Sequence, residues 1–120
     1  MNKLNEVIDG YFAAWNETEA GKRRAAIVQT WADDASYLDP LMQGSGHAGI
    51  DAMIAAVQER FPGHQFRLTG AVDAHHDRVR FSWELAPEGG PVVVAGTDFG
   101  VVAADGRLQS ITGFLDQMPS

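Results

Sequence analysis

The hydrophobic period of this chain changes near residue 65, and that change constrains the fold more than any single motif. Leu4, Val7, Ile8, Tyr11, Phe12 and Trp15 fall at i, i+3, i+4, i+7, i+8 and i+11, one continuous apolar face of a helix. Asn16-Glu17-Thr18 offers a break and a new N-cap, and a second helix is predicted to run to about Trp31 with Ile27, Val28 and Trp31 inward. A short extended piece, Ala35 to Asp39, closes at Pro40. A third helix spans about Ile50 to Phe61 and stops at Pro62-Gly63. From Gln65 onward the period is two: Val79, Phe81, Trp83 and Leu85 alternate with Arg80, Ser82 and Glu84, after a weaker strand carrying Phe66, Leu68 and Val72. Pro87 to Pro91 reads as a hairpin loop, Val92 to Ala103 as a long strand, and Asp105-Gly106 as a tight turn before Leu108 to Asp116. Helices first and hairpin-linked strands afterwards predict an α+β class, a curved antiparallel sheet wrapped around three N-terminal helices.

With 120 residues and no repeat or linker, the chain reads as one domain over 1–120, large enough for a core and one small-molecule pocket. Cysteine is absent, which excludes disulfides, thiolate metal sites and thiol nucleophiles. The formal net charge is −7, and the one basic cluster, Lys22-Arg23-Arg24, reads as a solvated helix face, so no nucleic-acid partner is expected. No apolar run approaches the ~20 residues that span a bilayer, and MNKLNEVIDG lacks the apolar core of a signal peptide. A cytoplasmic location away from membranes is the expectation.

YLDPLMQGSGHAG contains a literal G-x-G-x-x-G at Gly44, Gly46 and Gly49, with a helix directly behind. A dinucleotide site needs that loop at the end of a buried parallel strand in a βαβ unit. Here the preceding strand is short and carries Tyr37 and Asp39, and the later strands pair as antiparallel hairpins. The glycines read as a sharp turn from strand into helix, and no cofactor is expected.

Two acids are more informative. Tyr37 and Asp39 share one face of the short strand, because side chains alternate with period two. On the long strand, Asp98 lies between Gly96 and Gly100 among Val, Ala and Phe. Aspartate is disfavoured in strands, and glycines there mark close approach by a ligand or another backbone. Each acid has a plain alternative: Asp98 as a strand acid facing water, Asp39 as a turn-forming residue beside proline. Adjacent His75 and His76 point to opposite faces of a strand and cannot chelate together. No H-x-H or H-E-x-x-H is present, so no metal is expected; His47 and His64 flank the third helix, from where His47 could reach the pocket mouth.

The stretch Ile27-Val28-Gln29-Thr30-Trp31-Ala32-Asp33-Asp34-Ala35-Ser36-Tyr37-Leu38-Asp39-Pro40 resembles the same segment of ketosteroid isomerases. Those belong to the nuclear transport factor two-like superfamily, which includes SnoaL-like polyketide cyclases. The resemblance extends over nearly the whole chain, including the closing Ala104-Asp105-Gly106-Arg107-Leu108-Gln109. It implies a cone-shaped, cystatin-like sheet closed by helices over a deep pocket, and a symmetric homodimer. Asp39 matches the isomerase general base, and Asp98 the acid that stays protonated and donates to a substrate oxyanion. The oxyanion-hole tyrosine lines up with Trp15, and its supporting tyrosine with Val57. An indole N–H donates a hydrogen bond but is a far weaker acid than a phenol. Losing one oxyanion donor costs about 3–4 kcal/mol, so the chemistry implied is acid/base work other than efficient steroid isomerisation. Tyr37 and Tyr11 are the hydroxyls that could take the missing donor's place.

The expected function is a cofactor-free acid/base enzyme, of isomerase or cyclase type, acting on an apolar carbonyl-bearing small molecule. Asp39, Asp98 and Tyr37 are the candidate catalytic residues. Tyr11, Trp15, Trp31, Met53, Val57, Phe81, Trp83, Ile111 and Leu115 are the candidate lining. The rival is a non-catalytic ligand-binding or interaction module on the same fold, since fold alone does not fix function.

Overall fold

The computed structural model describes residues 2–118, so residues 1, 119 and 120 of the expected 1–120 domain lie outside the described residues. Its elements are α1 (Asn2–Asn16), α2 (Ala20–Thr30), β1 (Trp31–Leu38), β2 (Gln43–Ser45), α3 (Gly46–Arg60), β3 (His64–His75), β4 (Arg78–Pro87), β5 (Val94–Val102) and β6 (Leu108–Gln117). Of the α1 stripe Val7, Ile8, Tyr11 and Trp15 are buried, Leu4 and Phe12 partly so, and Ala14 beside it is buried as well. The Glu19 carboxylate caps α2 by accepting from the Gly21 and Lys22 amides at 3.0 and 2.7 Å, occupying donors that a helix start leaves free. Among the described residues, no helix is long and apolar enough to cross a membrane.

The strands form one open six-stranded sheet in the order β2-β1-β6-β5-β4-β3. The expected antiparallel sheet is corrected to a mixed one. β1 runs parallel to β6, with Ser36 opposite Ser110, Tyr37 opposite Ile111 and Leu38 opposite Thr112. Hairpin-linked strands must run antiparallel, but β1 and β6 are separated by α3 and three long strands, so no short connection dictates their direction. Curvature has a visible source in β3. Between Thr69 and Asp73 the register with β4 slips, and Gly70 there adopts φ +74°, a left-handed conformation in which glycine carries no Cβ penalty.

Boundaries also move. Trp31 is the first residue of β1 rather than the last of α2, and Val28 is 49% exposed rather than inward. Arg23 is the larger correction. Instead of lying on a solvated face it is buried, with Nε 2.6 Å from Asp51 Oδ1 and a guanidinium nitrogen 3.1 Å from Gln58 Oε1. This ties α2 to α3.

The helices cover one sheet face, burying Val79, Phe81, Trp83 and Leu85 of β4 together with Ile111 of β6. The glycine loop lies in the antiparallel β1–β2 hairpin and the start of α3. A Cβ on Gly44 would come 2.9 Å from the Gly49 carbonyl oxygen, and Gly46 has φ +70°. These glycines let the hairpin pack directly on the first turn of α3.

Candidate active site

Asp39 follows β1 directly and turns the chain. Its Oδ1 accepts from the Leu41 and Met42 amides at 2.8 and 3.0 Å, while the Asp39 amide donates to the Met42 carbonyl at 3.0 Å. Its other oxygen, Oδ2, accepts the Tyr37 hydroxyl at 2.7 Å. Turn former and pocket acid are therefore one residue: three donors fix the orientation of the carboxylate, and Oδ2, with a single donor, keeps acceptor capacity.

Asp98 enters from the opposite side, on the covered face of β5, and is 1% exposed. Its Oδ2 accepts the Tyr11 hydroxyl of α1 at 2.5 Å, whereas its Oδ1 is buried with no hydrogen-bond partner. Burial pushes the Asp98 carboxyl up from 3.8 to about 6. The Tyr11 hydroxyl and the Trp83 indole N–H oppose that rise, and Asp39 adds to it. Burial, followed by the nearby carboxylates, raises both phenols, Tyr11 well above its ordinary value and Tyr37 likewise. Both tyrosines therefore act as hydrogen-bond donors and not as ionising acids.

β6 lies between the two acids. Asp98 pairs with Gly113, the residue after Thr112, which itself faces Leu38 of β1. A Cβ on Gly113 would stand 2.9 Å from Asp98 Oδ1, 3.2 Å from Tyr37 Oη and 3.2 Å from Asp39 Cβ. Gly113 has no positive φ to explain it. Its bare backbone is what lets the two acid–tyrosine pairs converge.

The profile of the SnoaL-like domain family matches residues 8–111 of this chain. The chain belongs to the SnoaL-like family. A candidate isomerase of that family from Agrobacterium tumefaciens is 43% identical in sequence and superposes with a TM-score of 0.90, over 97% of this chain and 99% of that one. A candidate SnoaL-like polyketide cyclase from a Jannaschia species is 19% identical, with a TM-score of 0.76 over 96% of this chain and 86% of that one. A protein with a cystatin-like fold from Methylobium petroleophilum, also 19% identical, gives 0.75 over 98% of this chain and 78% of that one. These last two likenesses concern fold alone. No curated protein sequence matches the chain.

In this SnoaL-like protein the acids and tyrosines open on a cavity of ≈ 310 Å³, within the size range of small-molecule sites. Tyr11, Trp15, Tyr37, Asp39, Val57, Trp83, Asp98 and Leu115 line it. Trp31, Met53, Phe81 and Ile111 do not, and their expected lining role is corrected to core packing. Phe81 lies directly beneath α1, its ring centroid 5.3 Å from Tyr11 and 5.7 Å from Phe12. Trp31 packs on the far side of Tyr11 at 5.2 Å. Met53 sits one helical turn before Val57 and is buried in the core. The glycines beside Asp98 make room for core side chains and not for a ligand: the Trp83 indole lies over Gly96, while Ile111 and Val79 crowd Gly100. His47 also lies elsewhere, with Nε2 2.8 Å from the Trp31 carbonyl oxygen.

The sequence reading missed Phe12, Leu41, Met42, Phe66, Leu85 and Val94 of the lining, together with Arg60 and Phe61 at the end of α3. The helical spacing Ala56, Val57, Arg60 and Phe61 carried the signal for the last pair, since all four fall on one face. Gly113 left no signal, because its meaning depends on the β5–β6 register.

Proposed function

We propose that this SnoaL-like protein is an acid/base catalyst of isomerase or cyclase type, working through its own carboxyl groups on an apolar carbonyl compound. The observation carrying this reading is the Asp98 carboxyl: buried, raised toward neutrality, with one oxygen held by Tyr11 and the other unpartnered beside Asp39 and Tyr37. An orphaned buried polar atom calls for a partner, and a substrate oxygen supplies one. The indole rings of Trp15 and Trp83 line the same cavity and supply apolar surface for the rest of the ligand.

The chemistry follows from that placement. Asp39 removes a proton from the carbon beside the carbonyl, and the C–H electron pair forms a carbon–carbon double bond as the carbonyl oxygen becomes an enolate oxygen. Protonated Asp98 donates from Oδ1 to that oxygen, while Tyr11 steadies Oδ2. Asp39 then returns its proton to a different carbon, which shifts a double bond. In the cyclase variant the enolate carbon instead attacks a second carbonyl of the same molecule, and the proton goes to the new alkoxide. Asp98 in this scheme is a neutral donor, the role that burial favours for a carboxylic acid.

Hydrogen–deuterium exchange tests this. Apolar β,γ-unsaturated ketones and β-keto esters would be incubated with the protein in D2O and the α-carbon signals followed by NMR. The wild type should accelerate exchange, and Asp39→Asn should lower the rate by about 10²–10⁴-fold with the fold intact. Saturable binding of these ligands without any Asp39-dependent exchange would select the binding-module reading instead.

A further inference from the structure

The two acids lie buried in the cavity, whereas an exposed part of its lining carries a charge that the proposed chemistry does not use. Arg60, on the last turn of α3, lines the cavity with Val57 and Phe61 and is its one basic residue among the described residues. Its guanidinium carbon lies 5.8 Å from the centroid of the Phe61 ring, a stack that holds the group at the rim. Arg23, Arg67, Arg78, Arg80 and Arg107 each pair with an acid. Arg60 and Arg24 have neither an acid nor a hydrogen-bond partner among the described residues, and of the two only Arg60 lines the cavity, in a chain with 16 acids against 9 basic residues.

We propose that Arg60 is a ligand-anchoring residue that selects molecules bearing a carboxylate: the preferred ligand is an apolar oxo acid. The inference rests on the acid/base reading for the carbonyl and stands on Arg60 for the carboxylate. The Asp39 carboxylate in the buried part of the cavity and a single cation at the rim set a field along it. A carboxylate at the inner end would meet Asp39 and Asp98, so it binds at the rim and the carbonyl points inward. One planar guanidinium fork matches a carboxylate in bidentate geometry. A phosphate would call for more donors than this rim offers.

The test uses matched ligand pairs: a series of aryl and alkyl oxo acids of increasing chain length and their methyl esters, titrated against tryptophan fluorescence. Trp15 and Trp83 line the cavity and report occupancy. At least one acid should bind the wild type roughly tenfold more tightly than its ester, with the advantage shrinking as salt rises. Arg60→Gln should erase the acid–ester difference while leaving ester binding in place, and Arg60→Lys should restore part of it. Equal binding of acid and ester by the wild type, a preference that survives in Arg60→Gln, or no binding across the series overturns the proposal. Asp39→Asn separates the two readings. It should keep the acid preference, so a protein that selects acids but shows no exchange fails only as a catalyst.

Discussion

Asp98 and Gly113 are register partners across β5 and β6, and a methyl group on Gly113 would come within 2.9 Å of Asp98 Oδ1. The same methyl would press on Tyr37 Oη and Asp39 Cβ, each at 3.2 Å. Gly113→Ala is therefore expected to push the two acid–tyrosine pairs apart. Overpacking a tight interior typically costs about 1–3 kcal/mol, against a gain of about 0.4–1 kcal/mol from the stiffer unfolded chain, so the net change should be destabilising. A lowered melting temperature tests the packing. A displaced Asp98 titration, followed by carboxyl NMR, tests the site itself; an unmoved titration would mean that Gly113 merely fills the sheet.

Asp98 makes stability depend on pH in a defined window. Its folded pKa, about 6, lies above the ordinary 3.8, so the native state holds the proton longer than the unfolded chain does. The stability tied to the protonated acid is fully present below about pH 4 and is lost as pH rises through about 6. Asp98→Asn keeps an acceptor for Tyr11 and removes the buried charge. It should stabilise the protein by roughly 1–3 kcal/mol at pH 7 and by little at pH 4. Melting curves at both values check this, and a variant less stable than wild type at pH 7 would contradict it.

Tyr11→Phe approaches the same carboxyl from the other side. It removes the 2.5 Å hydrogen bond to Oδ2 and leaves Asp98 with both oxygens short of donors. The Asp98 titration should move further upward. Destabilisation of about 1–3 kcal/mol is expected at pH 7, and less at pH 4, where the carboxyl is protonated. Equal losses at the two pH values would show that Tyr11 contributes packing alone.

Legibility in the sequence followed the range of the interaction. The α1 stripe, the alternation in β4 and the turn at Asp105-Gly106 depend on neighbours within a few residues, and each is plain in the residue pattern. So is the Tyr37–Asp39 pair, two positions apart at the end of β1. The parallel β1–β6 pairing joins segments some seventy residues apart with no short connection, and nothing local encodes it. Arg23 sits in a basic run that reads as solvated, and its partners Asp51 and Gln58 arrive only when α3 docks on α2. The split of the aromatic residues between cavity and core was likewise invisible. Trp83 and Phe81 share a strand face, and only the position of α1 seals one and leaves the other open.

Assembly is open to a direct test. The helices cover one face of the sheet, and on the other Phe99 of β5 and Phe114 of β6 are 40% and 57% exposed. They are diagonal neighbours there, since Phe99 pairs with Thr112 and Phe114 with Thr97. We propose that a second copy of the chain covers this patch in a symmetric dimer, in keeping with the resemblance to ketosteroid isomerases. A two-fold axis lets one self-complementary patch bury itself, and its polar margin is already in place in the Ser82–Thr97–Asp116 hydrogen-bond chain. Light scattering at micromolar concentration should give twice the chain mass. Phe99→Glu with Phe114→Glu should halve it without unfolding the protein, because both side chains lie outside the core. A wild-type chain that runs as a monomer at that concentration would remove the dimer, and a double variant that stays dimeric would move the interface elsewhere.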